Sequence, residues 1–321
     1  MSLQILESGF LTTVQDEGRV GFASLGYPEC GACDTERFYT ANLLAGNPRN
    51  AAVLECTLLG PTLRFQSDHL VVVAGSAPVR LNGKPAPCYA PLIVHAGDIL
   101  SIGALVKGLR AYLAVYGSFA LSPVFGSLST DLRCHLGGFH GRSLQKDDIL
   151  PAEGGIPPFP DIQIQRAMHL KITQLHALQQ TRPHAIHVIS GPQEQTFTEK
   201  GMHTFVSSGY TVLSSSNRMA LRLDGDAIET FHGSDILSDA IALGSIQVAS
   251  DGQPMVMLSD HQTTGGYAKI GTVIPQDIPY LAQSVPGDVL HFTWIDYADA
   301  LLRYRTWMQH FDCIESYMKG N

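Results

Sequence analysis

Glycine and proline interrupt this chain so often that few segments have room for a long helix. The sequence carries 31 glycines and 18 prolines. Between them lie short apolar runs at 70–74, 92–95, 111–115, 186–189, 211–214, 255–258 and 289–294. Glycine reaches the left-handed backbone of tight turns, and proline continues neither a helix nor a central strand. Many short strands joined by such turns lead to barrels or sandwiches. The chain is therefore expected to be mainly β with few short helices.

One turn recurs. Gly97-Asp98-Ile99-Leu100, Asp147-Asp148-Ile149-Leu150 and Gly287-Asp288-Val289-Leu290 each place an aspartate before an aliphatic pair that can open a strand. The repeat fits either related β-modules or a shared turn solution. Helices are expected at 34–44, with Asp34 as N-cap and Gly46 as stop, and at 297–318. Leu301, Leu302, Arg305, Met308 and Phe311 give that tail its helical spacing. The segment 151–160, with four prolines and two glycines, is a linker. After it, Ile164, Met168, Ile172, Leu175 and Leu178 suggest a short bridging helix. At 321 residues, two domains are expected, 1–150 and 184–321, joined by 151–183.

Several function classes are disfavoured. A formal charge of -8 offers no basic field for nucleic acid or an anionic membrane. The N-terminus has no basic, apolar leader pattern, and no apolar run approaches membrane-spanning length, so a cytoplasmic location is expected. The six cysteines are too scattered for a disulfide framework. Cys30 and Cys33 form one C-x-x-C with no second pair to complete a zinc set, and read as reduced thiols. Cys134, His135 and His140 match no standard ligand spacing, so no metal is assigned. No G-x-x-x-x-G-K-[ST], H-E-x-x-H or G-x-S-x-G occurs.

Chemistry is instead suggested by three stretches dense in glycine and small polar residues. The first runs from Gly126 to Asp131 and on to Arg142, and contains Ser129, Thr130 and Asp131. The second, 214–219, contains Arg218. The third, 259–267, contains Asp260, Gln262, Thr263, Thr264, Gly265, Gly266 and Tyr267. Glycine amides can form an anion-binding nest, and hydroxyls add donors. Aspartate can act as base or orienting group, and arginine can grip a carboxylate with two bonds. Each stretch can equally be a capping turn between strands.

At these same residues the chain resembles the allophanate hydrolase subunit 2 family, also described as carboxyltransferase subdomains C and D. The resemblance includes Leu11 to Arg19, Gly26-Tyr-Pro28 with Asp34, Leu54-Glu55, Ser129-Thr-Asp131, Gly141-Arg142, Gly191-Pro-Gln193, Ile246-Gln-Val248 and Gln262-Thr-Thr-Gly-Gly-Tyr267. It implies two tandem cyclophilin-like β-barrel domains. It implies a subunit of an ATP-dependent 5-oxoprolinase, with ATP bound with or by a partner. The implied partners are an allophanate hydrolase subunit 1-like protein and a lactam-utilisation-type subunit. The alternative is a biotin-dependent carboxyltransferase acting on urea-like amides, and a non-enzymatic regulator of a kinase inhibitor is a third reading. Only the alternative involves biotin, and no Ala-Met-Lys-Met biotinylation site occurs. On this basis Asp260, Gln262, Thr263 and Thr264 are expected to be catalytic. Arg218, Gly265, Gly266, Tyr267, Ser129, Thr130, Asp131 and Arg142 are expected to bind substrate. Leu128, Asn217, Ala220 and His261 depart from the family pattern, the first and last replacing arginines and Asn217 an aspartate.

Overall fold

The structure, a computed structural model, describes residues 1–173 and 185–320. Two compact units emerge, one of Met1–Arg19, Cys30–Thr181 and Gln309–Asn321, the other of Val20–Glu29 and Arg182–Met308. The grouping differs from the linear boundaries at three places. Residues 20–29 cluster with the second unit, and the expected linker through Thr181 and the end of the C-terminal helix with the first. Tertiary packing, which local patterning does not encode, decides all three.

The first unit is built from β1 (Ser2–Glu7), β2 (Leu11–Gln15), α1 (Thr35–Ala45), β3 (Val53–Thr57), β4 (Thr62–Phe65), β5 (His69–Ser76), β6 (Val79–Leu81), β7 (Lys84–Ala86), β8 (Leu92–Val94), β9 (Ile99–Ile102), β10 (Lys107–Val115), β11 (Ile149–Pro151) and α2 (Pro160–Thr173). Its strands form a six-stranded sheet, β11-β1-β4-β9-β6-β7, and a five-stranded sheet, β2-β3-β10-β5-β8. One apolar core draws on both, including Leu3, Ile5, Phe65, Val71, Val73, Leu113 and Leu150. Strand β5 is buried along nearly its whole length, because α1 packs on β5 and β10 from the other side. That double cover explains why 70–74 is an unbroken aliphatic run rather than an alternating one.

Helix α1 starts and stops as its sequence predicts. The Asp34 carboxylate accepts the Arg37 N–H, and Gly46 closes the helix at φ 85°. Helix α2 begins at Pro160, where a missing N–H costs nothing. Its buried residues are Ala167 and Leu170, while Met168 is exposed. The expected stripe is thus rotated, and Leu175 and Leu178 lie outside the described residues.

The second unit contains β12 (Ile186–Ser190), α3 (Glu199–Ser207), β13 (Tyr210–Val212), β14 (Ala220–Asp224), β15 (Asp235–Ala240), β16 (Ser245–Val248), β17 (Pro254–Met257), β18 (Thr264–Tyr267), β19 (Lys269–Val273), α4 (Ile278–Ala282), β20 (Val289–Leu290), β21 (Phe292–Trp294) and most of α5 (Tyr297–Lys319). Its eight-stranded sheet runs β20-β13-β14-β17-β16-β19-β12-β21. The two outermost strands are consecutive in the chain and separated by His291 alone. The sheet is therefore a nearly closed barrel. The run expected as one strand at 289–294 is two short strands, because its halves pair with β13 and with β12. Strands β15 and β18 form a separate two-stranded ribbon. The fold is mainly β, with five helices among the described residues, none long and apolar enough to cross a membrane.

Candidate functional site

The second unit gathers most of the residues expected to act. The backbones of Arg218 and Asp260 meet where β14 begins and β17 ends, the Asp260 N–H donating to the Arg218 carbonyl. Their side chains form a two-bond ion pair, with Nε and Nη2 each 2.8 Å from a carboxylate oxygen. His261 is buried, and its Nδ1 lies 2.8 Å from the Gln262 carbonyl.

The Gly265-Gly266 pair differs from expectation. It lies within strand β18, where Gly265 stands opposite Asp239 of β15. Neither glycine is among the residues with positive φ, so the expected nest of turn amides is not formed; such a nest needs a left-handed residue. Thr263 is half-buried and Thr264 exposed, and the Thr263 carbonyl accepts the Ile241 N–H. The glycine at 265 has a packing reason. A Cβ there would meet Gln247 Nε2 at 2.6 Å and Gln262 Nε2 at 2.9 Å.

That close approach exposes a group that sequence patterning does not signal. Gln247 and Lys269 are directly paired on β16 and β19, so their side chains share one face of the barrel sheet. Both residues are buried. The Lys269 ammonium reaches the Asp239 carboxylate at 2.6 Å. Gln193 donates to the same oxygen at 3.0 Å and accepts the Lys269 N–H. The Lys269 ammonium, Gln193 and the Ala240 N–H together hold the Asp239 carboxyl below the usual carboxylate range. Lys269, Asp239, Gln193, Gln247 and Gln262 thus form a polar cluster around Gly265 and the ribbon. The strand that carries Asp239 also contributes Asp235 and Ile236 to a cleft of ≈ 390 Å³ lined further by Gln195, Thr196, Phe231, His232 and Gly233. In the sequence, Gln193 and Gln247 stand within the resemblance without a role. Lys269 carries no signal there, since a lysine opening a strand normally reads as solvated.

The first unit holds Ser129, Thr130, Asp131 and Arg142, and gives them structural partners. Ser129 is fully buried, and its hydroxyl donates to Asp16 at 2.6 Å. The same carboxylate accepts from the Ser127 hydroxyl, the Leu128 N–H and the Gly18 N–H. The Thr130 hydroxyl donates to the Val14 carbonyl. Asp131 caps the N–H groups of Arg133 and Cys134. Arg142 forks onto Asp148 at 2.7 and 2.8 Å. Ser129, Thr130 and Asp131 are buried and Arg142 is paired, while Asp131 Oδ2 has no partner among the described residues. Arg19 is the surprise here. It is 1% exposed, donates to the Ser129 carbonyl, and has no partner for Nε or Nη1 among the described residues.

A second buried constellation lies at the start of α1. The Tyr112 hydroxyl donates to Glu55 and accepts the Asp34 N–H, each at 2.8 Å, and the Cys33 N–H donates to the same Glu55 oxygen. Burial beside Asp34 pushes the Glu36 carboxyl up to about 7. Burial likewise pushes the Tyr89 phenol up to about 12, against the pull of Arg37. Cys30 and Cys33 are buried and form no disulfide. Cys134, His135 and His140 are exposed, and no metal-ligating trio gathers among the described residues.

The departures from the family pattern fall into local roles. Asn217 accepts the Met219 and Ala220 N–H groups, a task that needs only an oxygen. Leu128 packs on the first unit's core, and Ala220 packs with Ile241 and Met257.

Comparison with known proteins follows the same direction. A family model described as the carboxyltransferase domain, subdomain A and B, matches residues 25–294. The letters differ from the C and D pair of the resemblance. A 5-oxoprolinase subunit of Escherichia coli (strain K12), the one lettered C, is 34% identical over 97% of this chain and 96% of its own length. The crystal structure of the K. lactis urea amidolyase is similar at TM-score 0.88 and 28% identity over 98% of this chain. That of the Kluyveromyces lactis urea carboxylase gives the same three values. The chain spans only 20% and 29% of those two proteins.

Proposed function

Given that the chain belongs to the carboxyltransferase domain family of subdomains A and B, we propose that it is one component of an ATP-dependent 5-oxoprolinase complex that hydrolyses 5-oxoproline to glutamate. The observation that carries this reading is the match to the Escherichia coli 5-oxoprolinase component, which runs through 96% of that relative. The reading brings with it two cyclophilin-like β-barrels, a subunit 1-like partner and a lactam-utilisation-type subunit. It assigns ATP to the assembled complex, bound with or by a partner subunit.

The chemistry asked of the site is modest but specific. A lactam or ureido carbonyl is unreactive until negative charge gathers on its oxygen. Preorganised donors stabilise that charge, and losing one typically costs about 3 kcal/mol. In the second unit, Gln247 and Gln262 carry amide donors of the required kind. Arg218 and Asp260 orient the loop that carries Gln262. Thr263 and Thr264 remain in the proposal as hydroxyls on the ribbon's approach.

The test is 5-oxoproline-dependent ADP release by the chain reconstituted with both partners. Release that requires this chain supports the reading, and its absence sinks it. The second reading, carboxyl transfer from biotin to a urea-like amide, is favoured by the likeness to the urea carboxylase structure. Turnover only with carboxybiotin would select it.

A further inference from the structure

We propose that Lys269 is the seat for a substrate carboxylate, and that Asp239 is a latch occupying that seat until substrate displaces it. The inference rests on the small-amide reading above and adds which residue would hold the acid group of such a substrate.

Three observations meet at this point. First, the two partners of the ion pair are unequally wet: the Lys269 side chain is 4% exposed and that of Asp239 47%. A buried ammonium needs a counter-charge, because leaving it alone in a low-dielectric interior is costly. A half-exposed carboxylate leaves such a pair cheaply, because water takes it back. The site therefore demands an anion but does not demand Asp239.

Second, Asp239 sits on a movable support. Strand β15 is exposed at five of its six positions and belongs only to the two-stranded ribbon. Its pairing with β18 shifts register between Asp235 and Asp239. A two-stranded ribbon is marginal by itself, so displacing one of its side chains does not disturb the barrel core.

Third, the surroundings fit the remainder of the molecule. Gln193, which binds Asp239, directly precedes the 3-10 turn Glu194–Thr196, and Gln195 and Thr196 line the cleft together with Phe231 and Ile236. Beside Gly265, the Gln247 amide, which donates to the Tyr267 carbonyl, packs with Ile241 and the Gln262 amide so closely that no Cβ fits, which closes that side of the ribbon. A small amide bearing a carboxylate would then present its acid to Lys269 in place of Asp239. The recognised class is a carboxylate-bearing lactam, in contrast to neutral urea.

The experiment has two arms. In the reconstituted complex, kcat/KM is measured for L-5-oxoproline and for 2-pyrrolidinone, which lacks the carboxylate. Lys269→Met is expected to lower the 5-oxoproline value at least about tenfold through KM, with 2-pyrrolidinone little changed, and Lys269→Arg to restore part of the preference. In the second arm, L-5-oxoproline binding to the full chain is followed by NMR with labelled lysine. Asp239→Asn is expected to tighten binding several-fold and Lys269→Met to abolish it. Equal loss for both substrates, or Asp239→Asn weakening binding as Lys269→Met does, would overturn the latch. A complex without lactam-dependent ADP release, whose chain still binds 5-oxoproline through Lys269, would remove the functional reading and leave the carboxylate seat standing.

Discussion

Asp16 shows how little a carboxylate's identity says about its task. It accepts four hydrogen bonds, from two hydroxyls and two backbone N–H groups, and so ties the 127–129 loop to the end of β2. Glu36 is the opposite case, a half-buried acid with its proton affinity raised. A carboxyl whose pKa rises from 4.5 to about 7 on folding binds its proton more tightly in the native state. Stability is then fullest below the unfolded value and declines as pH rises through the interval to the folded one. Glu36→Gln should remove that decline, flattening the fall in the first unit's urea midpoint between pH 5 and pH 8 by the equivalent of about 1–3 kcal/mol. An unchanged slope would mean that burial does not perturb this carboxyl.

At the scale of the element, the recurrent turn is one structure used three times. In each copy the aspartate carboxylate accepts the N–H three residues earlier: His95 to Asp98, Gln145 to Asp148 and Val285 to Asp288. The residue before the aspartate always has positive φ, with Gly97 at 92°, Asp147 at 70° and Gly287 at 93°. Each turn also exchanges the same pair of backbone bonds with a neighbouring strand, through Phe65, Ile5 and Val212. The repeat is thus one turn geometry, present in both units. Its middle copy carries strain, since aspartate tolerates the left-handed region less well than glycine. Asp147→Gly should stabilise the first unit by about 0.5–1 kcal/mol, read as a rise in its denaturation midpoint. Gly287→Val should cost the second unit about 1–2 kcal/mol. An added Cβ there meets nothing within 4 Å, so the loss would be conformational rather than steric.

At the scale of the whole molecule, the last turns of α5 complete the first unit. Phe311, Ile314 and Met318 are buried, Tyr39 meets Phe311 edge-on at 5.2 Å, and Arg49 pairs with Asp312 at 2.7 Å. Deleting 309–321 should destabilise the first unit by about 3–6 kcal/mol, from three side chains at roughly 1.5–3 kcal/mol each less what α1 can re-cover. Hydrogen exchange localised to α1 would show it. Local chemistry made much of this molecule readable beforehand. The β class, the caps Asp34 and Gly46, the terminal helix and the threefold turn all follow from backbone preferences that act within a few residues. The Arg218–Asp260 pairing was half legible, as two residue types of suitable chemistry. Which face a side chain shares was not legible, because it depends on register between strands far apart in sequence. That register placed Gly265 in a ribbon instead of a turn and sealed Ser129 and Thr130 under neighbouring loops. It also brought Lys269 beside Gln247 and Asp239, an adjacency that sheet pairing alone creates.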